Sequence, residues 1–271
     1  MDLFGRTFYK SRKFYDDDFD WDNYTSDSYE RRLKGDVEAE FQTKINSEDA
    51  QFDAATGDLK LAGQPMHPNP HLILEVIGRL KPASVHEVGC GGGDHIANVA
   101  RLYPDTEITG GDRGVAQLEL ALRRHPELKN RIGIQDITMP WSGAWPRADL
   151  VYSQAVLMHI HTAASHFVAL SNMVRMSNKC VMLVENNQCH NFADDITALK
   201  AGGHLHWEDL HLHLVEGSAG ARAILISRAP LDYPVLHSDE QLRGDTKRSA
   251  RRLKRAAEDS SRGLFGFSKP N

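Results

Sequence analysis

Apolar residues recur along this chain in two alternating rhythms: helical stripes with a period near four, and short unbroken runs. Leu72-Ile73-Leu74-Glu75-Val76-Ile77-Gly78-Arg79-Leu80 predicts an amphipathic helix, preceded by Pro68 and Pro70 and ended by Lys81-Pro82. A short run toward Val88 predicts a buried strand, and Ile96, Val99, Ala100 and Leu102 then return to helical spacing. The alternation continues with a strand over 107–111, Asp112 at its end, a helix over 114–124 and a strand over 132–136. A loop over 140–146 carries two tryptophans. A strand over 149–153, a helix over 163–176 and an almost wholly apolar strand over 179–185 follow. Strands that alternate with helices predict a parallel sheet covered on both faces. The end of the domain changes character. Leu210, Leu212 and Leu214 alternate with His211 and His213, which predicts a half-buried strand with the histidines on its wet face. A turn over 216–220 and a strand over 221–227 complete an antiparallel hairpin.

The flanks carry different patterns. Residues 14–24 mix Asp with Phe, Tyr and Trp, a poor composition for helix or strand. Tyr29, Leu33, Val37 and Phe41 space a helix over 28–41, and 51–66 reads as a turn-rich connector with Gly57, Gly63 and Pro65. From 231 the chain reads as a tail. Its segment 247–255 holds six cationic residues out of nine and no acidic one. This is either a solvated tail or a contact for a phosphate-bearing partner such as RNA or an anionic lipid surface. Three units are expected: an arm and helix over 1–66, a domain over 67–230 and a basic tail over 231–271.

The strand at Val88 runs into Gly89-Cys90-Gly91-Gly92-Gly93-Asp94 and then the helix. Strand, glycine turn and helix make a cradle for a nucleotide, because glycine permits sharp turns and close approach of a ligand. The dinucleotide fingerprint G-x-G-x-x-G would need glycine at 94, where Asp94 stands. The stretch Glu87-Val88-Gly89-Cys90-Gly91-Gly92-Gly93 instead resembles motif I of the class I S-adenosylmethionine (SAM) dependent methyltransferases. The hairpin that ends the sheet fits the same family, and the resemblance spans about residues 67–230. It implies an α/β fold with a doubly wound, mostly parallel seven-stranded sheet ending in an antiparallel hairpin. It also opens a second reading of 14–24: a solvated arm, or a lid over the pocket.

The resemblance implies roles for particular residues. Gly89, Cys90, Gly91 and Gly93 would pass close to the methionine part and ribose of SAM, with the helix N-terminus behind them. Glu87 matches the acidic position near the methionine amino group. A carboxylate inside an apolar strand otherwise needs a buried partner. Asp112, at a strand end, can accept hydrogen bonds from vicinal ribose hydroxyls, and it also suits a helix N-cap. Arg113 would lie along the adenine, Asp136 would meet its amino group and Ile137 would pack on the ring. Backbone at Ser153 and Gln154 would flank the methionine part.

Methyl transfer to a hydroxyl needs a base, and histidine suits that role near neutral pH. His159, His161 and His190 fall at strand ends where doubly wound sheets bind ligands. Met158 stands where the family more often has Glu before that first histidine. The polar run 185–191 would orient hydroxyls of an acceptor, and His204, His206 and Trp207 would wall the acceptor pocket. The expected reaction is transfer of a methyl group to oxygen or nitrogen of a polar small molecule or a sugar. RNA is the second acceptor reading, carried by the basic tail. No Asn-Pro-Pro-Tyr-like motif follows the fourth strand, and nothing reads as a separate RNA-binding module. A SAM-binding protein without activity is a third reading. Asp194-Asp195 reads as helix-dipole partners, so no metal is expected.

Composition changes this picture little. The chain has 271 residues, 41% of them hydrophobic and 25% charged, with a net charge of −5. That excludes a global pull toward nucleic acid. Three cysteines, Cys90, Cys180 and Cys189, cannot all pair, and no apolar stretch reaches the length of a membrane span. A cytoplasmic location fits both features, and the oligomeric state stays open.

Overall fold

The computed structural model describes residues 44–53, 55–62, 66–162 and 164–242. The arm over 14–24, the helix over 28–41 and the basic run over 247–255 lie outside the described residues. The turn-rich connector contains a small antiparallel hairpin instead, β1 (Ala50–Phe52) paired with β2 (Leu59–Leu61). Helix α1 (Pro68–Leu80) starts one turn earlier than the apolar stripe. Proline is tolerated in a first turn, where its missing N–H has no helical partner anyway, and the His67 imidazole caps the Asn69 N–H.

From there strand and helix alternate: β3 (Ser84–Val88), α2 (Asp94–Leu102), β4 (Glu107–Asp112), α3 (Val115–Arg124), β5 (Ile132–Ile134) and β6 (Ala148–Gln154). Then come α4 (Ser165–Met176), β7 (Ser177–Val184), α5 (Phe192–Ala201), β8 (His211–Glu216) and β9 (Arg222–Ser227). The seven strands after the small hairpin form one sheet in the order β5-β4-β3-β6-β7-β9-β8. Neighbours from β5 to β7 are parallel. The closing hairpin folds back so that β9 lies antiparallel between β7 and β8. The expected doubly wound sheet with a terminal hairpin is the observed one. Among the described residues no helix is long and apolar enough to cross a membrane.

The apolar strands are explained by two covered faces. On β7, Cys180, Met182 and Val184 enter one core with Leu72, Ile73 and Ile77 of α1 and Ile96 of α2. Val181 and Leu183 enter the other with Leu170 and Met173 of α4 and Ile196 of α5. β9 divides in the same way, Ala223 and Leu225 against Ile224 and Ile226. Successive residues of a strand point to opposite faces, so a strand between two helical layers must be apolar throughout.

Two expectations change at the sheet edge. His213 is buried, not wet: its imidazole meets Ser227 Oγ at 3.1 Å and the Tyr233 carbonyl at 3.4 Å. The cause lies in residues 231–242, which pack on the sheet. Pro234 accepts the Leu214 N–H and Leu236 donates to the Leu212 carbonyl, so β8 has a covered edge. Leu231 and Tyr233 reach one core, Leu236 and Leu242 the other.

Glu75 shows how α1 is tied in. Buried on the helix, it accepts the Leu59 N–H from the small hairpin and the Ser218 N–H from the β8–β9 turn, each at 3.1 Å. One carboxylate thus joins three elements that a helix stripe alone would not bring together.

His86 gives the fold a pH dependence. It is 1% exposed on β3, with Thr109 Oγ1 at 2.8 Å and Gln135 Oε1 at 3.0 Å from its two ring nitrogens. Burial, against the hydrogen bond to Gln135, pushes its pKa down to about 4. The unfolded chain takes a proton on this ring near 6.5, and the folded one only near 4. Stability is therefore complete above the unfolded value and is lost as pH falls across that window, by about 3 kcal/mol. Denaturant titrations of the wild type and His86→Gln from pH 8 to pH 4 are expected to show that slope in the wild type and a flatter one in the variant.

Candidate functional site

The glycine loop between β3 and α2 is fastened to the end of β4. The N–H groups of Gly89 and Cys90 both donate to the Gly111 carbonyl, at 2.7 and 3.0 Å. Gly91 N–H donates to Asp112 Oδ2 at 2.9 Å, and Gly93 N–H to the Cys90 carbonyl at 2.9 Å. Four of the loop's donors are thus used inside the protein, so what the loop gives a ligand is mainly space rather than the expected row of N–H groups. Gly89 is required twice over. Its φ of +70° is left-handed, and a Cβ there would stand 2.4 Å from a methyl of Val156.

Asp112 organises the same corner. Its other carboxylate oxygen takes the Gly114 N–H at 2.7 Å, where α3 begins. It therefore serves as loop clasp and helix cap together. A carboxylate oxygen can accept more than one hydrogen bond, so these ties are compatible with a ligand hydroxyl. Asp136 follows the short β5 and is turned by Thr138, whose N–H and hydroxyl reach its Oδ1 at 3.0 and 2.6 Å. Asn172 of α4 holds the next bend through the Ile137 and Met139 carbonyls, both at 2.8 Å.

These pieces enclose a cavity of about 350 Å³ at the carboxyl ends of the central strands. Of the residues singled out in the sequence, Gly89, Cys90, Gly91, Gly93, Asp112, Arg113, Asp136, Ile137, Gln154 and His159 line it. Glu87 and Ser153 lie beneath it instead, 1% and 0% exposed. His161 and His190 stand outside the lining, in a stack with His166: the rings of His190 and His166 are 4.2 Å apart, those of His161 and His190 5.3 Å. Burial lowers the pKa of both His166 and His190, and neighbouring imidazoles lower them further. Among the described residues no group of three or more His, Cys, Asp or Glu side chains is arranged to hold a metal ion.

The expected acceptor wall also moves. Trp207 is fully buried in the core beside α5. His204 lines a separate cavity with Trp141, Phe167 and Arg175. Glu185 is turned away from any acceptor: its carboxylate accepts the Ser153 hydroxyl at 2.7 Å and the N–H groups of Val156 and Met158 at 3.1 Å. This clamp fixes the cavity wall after β6, where Ala155 adopts a left-handed φ of +54°. Burial pushes the Glu185 pKa up, against the hydrogen bonds from Ser153, Met158 and Val156.

Sequence reasoning passed over His95, Gln117, Gln135, Thr138 and Val156, which also line the cavity. His95 could have been found, since it shares the first turn of α2 with Asp94 behind the glycine loop. Gln135 could not, because only the pairing of β4 with β5 brings it over Gly111.

Residues 86–182 match the family model described as a methyltransferase domain. No curated protein sequence matches the chain. Among solved structures it is similar to the SAM-bound amino pentose methyltransferase CalS10 from Micromonospora echinaspora, at 16% identity, over 60% of this chain and 91% of that one, with a TM-score of 0.47. It is also similar to the magnesium protoporphyrin IX methyltransferase ChlM from Synechocystis PCC 6803, at 15% identity, over 77% and 94%, with a TM-score of 0.47. A third is DesVI from Streptomyces venezuelae, at 13% identity, over 59% and 91%, with a TM-score of 0.46.

Removing the Glu185 clamp strands buried donors on a strained loop. Glu185→Ala is expected to cost about 3 kcal/mol in denaturant unfolding, the order expected when a buried charged acceptor of several hydrogen bonds is lost.

Proposed function

We propose that this chain, whose residues 86–182 match a methyltransferase-domain model, binds S-adenosyl-L-methionine in the cavity beside Gly89–Gly93 and transfers its methyl group to oxygen or nitrogen of a polar small molecule or a sugar. The observation that carries the reading is the pairing of an anionic lining with a glycine loop four of whose donors are already used. Asp112 and Asp136 line the cavity, and Gly89, Cys90, Gly91 and Gly93 give their N–H groups to Gly111, Asp112 and Cys90. A dinucleotide's diphosphate needs free loop N–H groups and is repelled by carboxylates. A nucleoside bearing a sulfonium cation is suited by both features.

Asp112 would hold the ribose hydroxyls, Asp136 the adenine amino group and Ile137 the face of the ring. When bound, SAM supplies a methyl group already activated by positive sulfur. The protein then has to align the acceptor, exclude water and take up a proton. His159 is the one of the three proposed bases that lines the cavity, on the short 3-10 turn Leu157–His159. His159 would take up the proton that the acceptor's oxygen or nitrogen loses on methylation.

Asp112→Ala removes a ligand contact and the clasp on the loop together. Calorimetric titration is expected to show SAM binding in the wild type and at least about a hundredfold loss in the variant, from two charge-assisted hydrogen bonds. Unchanged affinity would exclude the assignment of this cavity.

A further inference from the structure

Glu87 is the residue that motif I would place against the methionine amino group, yet it does not touch the cavity. It is 1% exposed, and its Oε1 lies 3.1 Å from Nδ1 of His95, in the first turn of α2. His95 does line the cavity. Its second ring nitrogen, Nε2, is buried and has no partner. The Tyr152 hydroxyl, from β6, lies beside the same carboxylate, and its interaction with Glu87 favours the ionised carboxylate. Buried polar atoms without partners are rare in folded proteins, and His95 Nε2 is one on a residue that lines this cavity.

The tautomer follows from this pairing. With Glu87 ionised, Nδ1 carries the proton and donates it to Oε1, so Nε2 presents a lone pair. A lone pair backed by a buried carboxylate is an acceptor for a cation that can donate hydrogen bonds. The amino-acid end of the proposed cofactor carries one, its ammonium group.

Resting on the cofactor reading above, we propose that His95 accepts the methionine ammonium on Nε2, and that Glu87 is a positioning residue acting through His95. The pair is a carboxylate–imidazole relay whose contact atom belongs to the histidine.

The charges facing His95 set how this contact responds to pH. Glu87 comes from β3 and Asp94 from its own helix. Asp94 is itself held by Arg124 of α3 and by His125 Nε2 at 2.8 Å. Around Glu87 in turn stand Cys90 on the loop and Tyr152 on β6, with Asp112 of β4 facing Cys90. Burial pulls the His95 pKa down, but the hydrogen bond to Glu87 and the charges of Glu87 and Asp94 outweigh it, and the net shift is upward from 6.5. Protonation at Nε2 removes the lone pair and sets a cation against the ammonium. Affinity is therefore full above the raised value and falls as pH drops through it.

The test is calorimetric titration of S-adenosylhomocysteine, whose ammonium and carboxylate keep their charges across neutrality, between pH 6 and pH 8.5. In the wild type the dissociation constant is expected to rise toward tenfold per pH unit below the His95 pKa, the limit for one competing proton. His95→Gln, which can donate to Glu87 and still offer an acceptor, is expected to bind within a few fold at pH 8.5 with a flat profile. His95→Phe is expected to lose at least about tenfold. Glu87→Gln removes the upward pull and is expected to move the fall to lower pH. A wild-type profile that is flat, or affinity that improves as pH falls, overturns the inference while leaving the cofactor reading intact. So does an unchanged profile in either the His95→Gln or the Glu87→Gln variant. A wild type that binds the ligand at no pH overturns the cofactor reading, and this inference with it.

Discussion

One junction at the end of β4 governs the rest. The Gly111 carbonyl takes two loop N–H groups, and the Asp112 carboxylate takes one from the loop and one from the start of α3. Two neighbouring residues thus set the path of the chain between β3 and α2 and the place where α3 starts. They also decide what the loop can offer. With four of its donors consumed, it makes a concave wall close to Val156, where the left-handed Gly89 admits no side chain. Cavity shape and cavity chemistry follow from the same hydrogen bonds.

A second constraint is the cost of burying charge beneath that wall. Glu87, Glu185 and Glu75 are each within 8% of full burial, and each is put to a different use. Glu185 spends its oxygens on one hydroxyl and two backbone N–H groups, and so becomes structural. Glu75 joins α1 to two hairpins. Glu87 backs the His95 imidazole, whose other ring nitrogen has no partner in the protein, so its charge is passed on to the cavity lining instead of being consumed by the backbone. Similar residues in similar burial are thus separated by a count of their partners.

The histidines divide in the same way. His86 and His213 are structural, bonded on both sides between strands. His161, His166 and His190 stack on one another beyond the lining, and among the described residues His159 and His95 are the histidines that meet the cavity. Residue type and nearness to a strand end could not sort them, because both groups satisfy those conditions. Distance from the cavity could.

Period alone determined much of this protein. The alternation of helix stripes with apolar runs dictated a sheet covered on two faces, and Leu210 to Ser227 dictated a closing hairpin, because a strand's burial is written in its own side chains. The spacing of Gly89, Gly91 and Gly93 after Val88 likewise marked the nucleoside corner, since turns of that hand need glycine locally. What no local rule contains is which polar group meets which across the sheet. That Glu87 faces His95, that Glu185 turns back to Val156 and Met158, and that residues 231–242 cover β8 and bury His213 were decided only when distant segments packed. Those partners lie on other elements, and a carboxylate or an imidazole reads the same in sequence whether it ends up holding a ligand or holding the fold.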